Sequence, residues 1–526
     1  RQLPRNPIGF LYPIIVFILR RRADRVTNRV LSLGVGLSPW RIGSTPWLVR
    51  DMDKRERRDR ELRITGSLIR EFGYQPASWW KDAIGEAGGR VFADPAQARE
   101  YLDRFAPPPA MPLRVGGALR WTANIEAEDE AERANIEAVS RHMNELMRVP
   151  TVVAGAIMPD ACPSDHRLGA IPVGGVAATR DAIHPGMHSA DICCSMAVTI
   201  FDSGSDAGRI LDAGMKLSHF GAGGRAAGGR IQPAPELLEA FERNIFLKPL
   251  VGAAIEHNAT QGDGNHFFYV GRVRSSGRVA LVTHHGSRGP GGKLYAAGMT
   301  SAEKFRRQAS PETPAHNAWI PSETREGESY WEALQLIRAW TKGNHFAIHD
   351  LIAATLGLRA DDRFWNEHNF VFRRSDGLFY HAKGATPAYA DFSSDTNGLT
   401  LIPLNMAEPI LITRGLDAAA GLGFSPHGAG RNFSRSAYLK QNAGKSEADL
   451  IAEQAPGIDV RYFSGIPDVS ELPGAYKNAA SMRRQIAKFG LAKVVDQIDP
   501  IGNIMAGDWQ RVAPWRKKRL PALDAG

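Results

Sequence analysis

Glycine-rich motifs carrying histidine recur in this chain after short β-branched runs, and that recurrence limits the folds open to it. Val279-Ala280-Leu281-Val282-Thr283, for example, runs straight into His284-His285-Gly286-Ser287-Arg288-Gly289-Pro290-Gly291-Gly292. A β-branched run packs as a strand, and a following glycine lets the chain turn sharply and approach a ligand closely. The pattern predicts strands whose ends deliver side chains into a central cleft. The 53 glycines and 33 prolines add many turns and a loop-rich site. No repeat of 20–50 residues is present, and neither a GxGxxG nor a Walker sequence supports a doubly wound nucleotide fold. The expected class is α+β with mixed sheets.

With 526 residues, 43% of them hydrophobic, the chain can form one large unit plus an appended segment. The expected division is 1–51, 52–115, 116–507 and 508–526. Gly9 to Leu19 is an apolar run of eleven residues followed by Arg20-Arg21-Arg22. It is shorter than the ~20 residues of a spanning helix, and no small-residue cleavage site follows it. The first methionine is Met52, before a charged run from Asp53 to Glu61. Residues 1–51 are therefore expected to be a non-native or disordered extension, with a peripheral membrane contact as the alternative and no integral membrane contact. In 52–115, Trp79, Trp80 and Phe92 are candidates to pack on the main body, and Pro107-Pro108-Pro109 reads as a linker or rigid turn. From Glu126 to Met147 the spacing of Ile136, Val139, Met143 and Leu146 predicts a helix leading into a strand over Val149 to Ile157. The 508–526 tail is basic, with Arg511, Arg516, Lys517, Lys518 and Arg519, and it inflates the net charge of +9. That charge is compatible with polyanionic partners and does not by itself show nucleic-acid binding. Three cysteines argue against a disulfide framework, and a reducing cytoplasm suits a metal-bound thiolate.

The chemistry-bearing motifs are short. Phe424-Ser425-Pro426-His427-Gly428-Ala429-Gly430-Arg431 encloses a histidine in small residues and places an arginine four positions on. Such an imidazole can act as a nucleophile towards phosphorus, and a guanidinium matches phosphate oxygens. Alone, the run reads as a surface turn that holds a histidine. Asp191-Ile192-Cys193-Cys194-Ser195 places a carboxylate three residues before a cysteine, as one metal site could use; the bland reading is a buried strand end with inert thiols. Gly262-Asp263-Gly264-Asn265-His266-Phe267 and the His284 segment both set histidine beside a glycine turn. Glu367-His368-Asn369 is followed at His381 by HAKGAT. Each histidine alone reads as a structural one. Taken together, an aspartate, a cysteine and several histidines beside glycine turns point to a polynuclear metal site.

The order of these motifs resembles that of the RtcB-type RNA ligases, GTP- and manganese-dependent enzymes of tRNA splicing and RNA repair. The resemblance runs from about Met158 to about Gly507. It begins at Met158-Pro159-Asp160, passes through Pro172-Val173-Gly174-Gly175-Val176-Ala177-Ala178 and the motifs above, and ends near Ala475-Tyr476-Lys477. It implies a single catalytic domain, 116–507, with mixed sheets around a dinuclear metal cleft. It implies that His427 is the guanylylated residue and that Asp160 orients it. Cys194 would bridge two metals, with Asp191, His266, His284 and His368 as further ligands. Asn265, Gly428, Ala429, Gly430, Arg431 and Tyr476 would contact the nucleotide. The implied cofactors are two Mn²⁺ ions and GTP. The implied partner is RNA with a 3′-phosphate or 2′,3′-cyclic phosphate end and a 5′-hydroxyl end. Arg288, Arg431 and Arg435 are further candidates for phosphate contacts.

The chain departs from the family pattern mainly around the base. Ser195 replaces a glycine after the bridging cysteine. The histidine of the MPD-x-H segment is reached only through an insertion, Ala161 to His166. Tyr269, Asn405, Ile410 and Met505 replace polar positions that hold guanine. The expectation is a weakened preference for GTP, with ATP as a candidate donor, because discrimination of this kind relies on paired hydrogen-bonding groups. Two other classes stand beside the ligase: a dinuclear metal phosphoesterase that has lost nucleotide transfer, and a non-catalytic RNA-binding relative.

Overall fold

The β-branched runs do form strands. Val279–His285 is buried along its whole length and lies between Ser195–Phe201 and Phe267–Val273, antiparallel to both. The computed structural model describes residues 62–74, 76–105, 110–163 and 167–509. The expectations placed on residues 1–51, on Pro107-Pro108-Pro109, on Asp165 and His166, and on the tail beyond Trp509 lie outside the described residues.

The chain divides into two units, 1–106 and 107–526. In the first, Leu62–Arg63 pairs with Val91–Phe92, and three short helices, Gly66–Glu71, Trp79–Ala87 and Pro95–Asp103, surround that ladder. Phe92 is buried in this unit's own core with Ile69, Tyr101 and Leu102, and Trp79 and Trp80 flank the same core. These aromatic residues are thus used inside a small unit.

The second unit is built on two larger sheets. An eight-stranded sheet runs in the order Ala360–Glu367, Ser195–Phe201, Val279–His285, Phe267–Val273, Ala492–Met505, Ile410–Gly415, Leu399–Ile402. The eighth strand, Asp459–Tyr462, pairs in parallel with the far end of Ala492–Met505, and the other pairs are antiparallel. The sheet curls until its end strands meet, where Leu401 N–H donates to Asn366 Oδ1 at 2.8 Å. Its interior is filled from strands all round by Val198, Tyr269, Val282, Phe364, Leu401, Ile412 and Ile498. A five-stranded sheet, Asn369–Arg373, Phe379–Lys383, Val173–Thr179, Val152–Cys162 and Thr122–Ala123, carries one parallel pair at its edge. The expected α+β class with mixed sheets is what forms.

The predicted helix spans Glu130–Leu146, where Asp129 caps the first turn by accepting from Glu132 N–H. It buries Val139, Met143 and Leu146, and the strand after it runs over Val152–Cys162, further than expected, so that it includes Asp160. A 32-residue helix, Arg325–Leu356, packs on the curled sheet. Its His345 and His349 both bond Thr283 Oγ1, at 2.7 and 2.8 Å. His345 also reaches Ser195 Oγ at 3.0 Å, so this helix braces the strand that follows the candidate ligand Cys194 and the strand that contains His284. Among the described residues no helix is long and apolar enough to cross a membrane.

Candidate metal centre and nucleotide cavity

Strand register gathers the metal-ligating side chains at one end of the curled sheet. Ser195 pairs with Glu367 and with His285, and Phe267 pairs with His284. Cys194 therefore precedes one strand where His368 leaves its neighbour, and His368 N–H donates to the Cys194 carbonyl at 2.8 Å. His266 enters beside His284 for the same reason. Between Asp191 and Cys194 the backbone turns through a left-handed residue, Cys193, at φ 57°. Its thiol faces Thr341, Glu367 and Arg338, among core side chains. The turn that sends Cys193 into the core leaves Cys194 towards the histidines. Glycine is needed at Gly286, where a Cβ would lie 2.0 Å from Asp191 Oδ1.

Two groups of donor atoms result, and they share Cys194: one with His284 and His368, the other with Asp191 and His266. Cys194 Sγ lies 3.2 Å from His284 Nε2 and 3.7 Å from His266 Nε2. His284 Nε2 lies 3.2 Å from His368 Nε2, and His266 Nε2 lies 3.1 Å from Asp191 Oδ2. Donors about 2.0–2.3 Å from a common ion stand at roughly these separations from one another. His284 Nδ1 donates to the Asn265 carbonyl at 3.1 Å, which turns its Nε2 lone pair to the centre.

The electrostatics also fit a cation. Burial, and then the adjacent Asp191, push the Cys194 thiol well above its ordinary value. Burial likewise pushes Asp191 up, but His266, its hydrogen bonds to His266 and Cys194, and Arg288 outweigh it and hold the carboxyl at about 2. Burial takes His284 down to about 3 and keeps His368 well below its ordinary value, so both are neutral ligands at pH 7. Beside the ionised Asp191 the buried Cys194 thiol keeps its proton, and a divalent ion between them would supply the positive charge that favours the thiolate. The donor set of nitrogen, oxygen and sulfur admits Mn²⁺, Zn²⁺ or Co²⁺.

His427 follows the short strand Phe424–Pro426, which pairs with Ala385–Pro387 of the KGAT segment. Its ring centroid is 4.9 Å from that of His368. Asp160, with no solvent exposure, accepts from His427 Nδ1 at 2.5 Å and from its backbone N–H at 3.1 Å. A carboxylate can only accept, so Nδ1 carries a proton, and in the neutral ring the lone pair is on Nε2. The strand beneath is held by buried Lys477, whose Nζ donates to the carbonyls of Pro159 and Ala161, each at 2.9 Å. The Gly430 backbone, at φ 71°, passes so close that a Cβ would lie 2.1 Å from the Asp160 carbonyl. Asp160→Asn should keep the fold but slow any reaction that places positive charge on the His427 ring, by about 10²–10⁴-fold. The single-turnover rate of nucleotide attachment, with thermal unfolding as the control, measures this.

A cavity of about 290 Å³ opens beside His427. Gly428, Ala429, Gly430, Arg431, Tyr476 and Asn265 line it, as do Tyr269, Asn405, Ile410 and Met505. All four replaced positions thus face one space. Arg431 is committed within the protein: Nε donates to the Phe433 carbonyl, Nη2 to that of Ser470, and Nη1 to Glu471 at 3.2 Å. Buried Glu471 also accepts from Arg435 Nε at 2.7 Å and from the Tyr476 hydroxyl. Arg288 begins the helix Arg288–Ala309 and donates to the Gly221 carbonyl at 3.4 Å. Sequence reasoning missed Glu471, the role of Lys477, and the place of Cys162 in the cavity wall. The only signal for Cys162 was its position two residues after Asp160, where the MPD-x-H pattern has its histidine.

Residues 239–506 match the family model described as tRNA-splicing ligase RtcB, just over half of the chain. The chain belongs to the RtcB family. Proteins described as tRNA-splicing ligase RtcB are similar to it. The one from Pyrococcus furiosus is 27% identical over 281 residues, covering 46% of this chain and 29% of that protein. The one from Thermococcus kodakarensis is 26% identical over 325 residues, covering 54% and 64%. The one from Archaeoglobus fulgidus is 27% identical over 282 residues, covering 46% and 58%. The chain thus spans less than two thirds of the length of each of these relatives. Asp160, Asp191 and Cys194 precede the matched family segment, and it is the geometry that joins them to His266, His284, His368 and His427.

Proposed function

We propose that this protein is an RNA ligase that joins a 3′-phosphate or 2′,3′-cyclic phosphate end to a 5′-hydroxyl end through a histidine–nucleotide intermediate. The observation that carries this reading is the His427 imidazole, oriented by Asp160 with Nε2 free, beside two donor groups that share Cys194. Similarity to tRNA-splicing ligases supports RNA as the substrate class. The chemistry is assigned to residues 116–507. A metal-bound thiolate suits a reducing cytoplasm, where we place the protein.

Asp191, Cys194, His266, His284 and His368 would hold two divalent ions, read as Mn²⁺ from the family likeness. Such ions supply positive charge against the triphosphate and the charge developing at phosphorus. His427 Nε2 attacks the α-phosphorus of a nucleoside triphosphate, with GTP as the donor the family likeness implies. The P–N bond forms, the bond to pyrophosphate breaks, and Asp160 stabilises the cationic ring through Nδ1–H. An oxygen of the RNA 3′-phosphate next attacks the histidine-bound phosphorus, which frees His427 and leaves the nucleotide on the RNA end. The 5′-hydroxyl oxygen then attacks the RNA phosphorus, losing its proton to a base. The nucleoside monophosphate leaves and a 3′–5′ phosphodiester remains. A 2′,3′-cyclic end is first opened by water. Asn265, Gly428, Ala429, Gly430 and Tyr476 line the cavity the nucleotide would enter.

The altered cavity wall favours one other reading, a phosphoesterase that keeps the metal centre without nucleotide transfer. α-Labelled nucleoside triphosphates with Mn²⁺ separate the two. A labelled protein band that is lost when RNA with a 3′-phosphate is added supports the ligase. Phosphate release from RNA ends with no labelled band overturns it in favour of the phosphoesterase.

A further inference from the structure

Among the described residues, the wall of the cavity beside His427 carries one fully buried side-chain oxygen without a partner, and its chemistry differs from a carboxylate. Phe267 and Tyr269 lie on one strand, directly across from Met505 and Asn503 on the next. Residues two apart share a strand face, and all four line the cavity with Ile410. The Tyr269 hydroxyl is already used, donating to the Ile498 carbonyl at 2.8 Å. Asn503, at 1% exposure, is the polar side chain left on this wall. Its Nδ2 faces the Met406 carbonyl at 3.3 Å. A carbonyl can only accept, so this contact fixes which end of the carboxamide is nitrogen. Oδ1 is left buried without a partner, and it is the one such side-chain oxygen among the described cavity residues.

We propose that this cavity selects an adenine nucleoside triphosphate, with the Asn503 carboxamide as the group that reads the base; this rests on the nucleotide-transfer reading of His427. A carboxamide offers one acceptor and one donor. Adenine matches this on its N1 edge with its 6-amino N–H and N1, a two-bond fit of the kind asparagine makes with N6 and N7 of adenine in DNA. The rest of its edge is a C–H, which suits Met505 and Ile410. Guanine can also make two bonds to a carboxamide, through N1–H and O6. Its 2-amino group then faces apolar side chains with both donors unmet, which buried polar groups tolerate poorly. Cytosine leaves its 2-oxo acceptor unmet, and uracil has no amino group for Oδ1.

The test is equilibrium binding of ATP, GTP, CTP and UTP, each with Mn²⁺, to the full-length His427→Ala protein, which cannot react. The same measurement is made on His427→Ala/Asn503→Ala, and adduct formation is followed in the wild type. ATP should bind ~10-fold or more tightly than GTP, and Asn503→Ala should erase most of that margin. Equal binding of the two nucleotides, a GTP preference, no binding of either, or an ATP preference untouched by Asn503→Ala would overturn the inference. Adduct formation from GTP alone would leave the ligase reading standing and remove this one. Asn503-dependent ATP binding with no adduct in the wild type would do the reverse.

Discussion

His427→Ala is expected to abolish covalent nucleotide attachment while leaving metal content unchanged. The first half follows from chemistry. Phosphorus–nitrogen bond formation needs an imidazole nitrogen with its lone pair free, and Asp160, by taking the Nδ1 proton's hydrogen bond, leaves Nε2 as that nitrogen in the neutral ring. No neighbouring histidine can take over, because His284 and His368 point their Nε2 atoms at each other, 3.2 Å apart, inside one donor group. The second half follows from geometry. His427 belongs to neither donor group, so its loss removes no ligand. Intact-protein mass should show the nucleotide increment in the wild type and none in the variant, with metal per protein the same in both. Peptide mapping that finds the nucleotide on any residue but His427 would sink the assignment.

What the sequence made legible was chemistry compressed into short segments. The candidate nucleophile and all five candidate ligands sit in runs of a few residues, those of His266, His284 and His427 beside glycines, and the structure brings them together at one end of the curled sheet. The strand-then-glycine pattern also gave the fold class correctly. What stayed hidden depends on pairing over long distances. Asn503 faces the cavity because its strand lies against Phe267–Val273, more than 200 residues away. Glu471 meets Arg431 and Arg435 through a loop with no motif of its own. Lys477 was visible as a motif member, but its grip on both sides of Asp160 spans more than 300 residues. The turn at Cys193 is a fourth case, and a local one: spacing singled out Cys194, whereas the reason is a left-handed backbone residue that no periodicity encodes.

That turn sets the second large expected effect, a sharp asymmetry between adjacent cysteines. Cys194→Ala removes the one atom common to both donor groups. Each group then keeps two protein ligands, His284 with His368 and Asp191 with His266. Loss of an outer partner alone costs ~10–100-fold in metal affinity, so loss of a shared ligand should exceed that and leave little metal bound. Nucleotide attachment should fall with it. Cys193→Ala removes a buried sulfur from a hydrophobic cluster, at a cost near that of one buried methylene, ~0.8 kcal/mol. Its thiol is in neither donor group, so metal content and nucleotide attachment should stay close to wild type, with a modest fall in the unfolding midpoint. Metal analysis after gel filtration, alongside thermal unfolding, reads both quantities. Equal metal loss in the two variants would mean that the ligand is supplied by the turn as a whole rather than by the Cys194 thiolate.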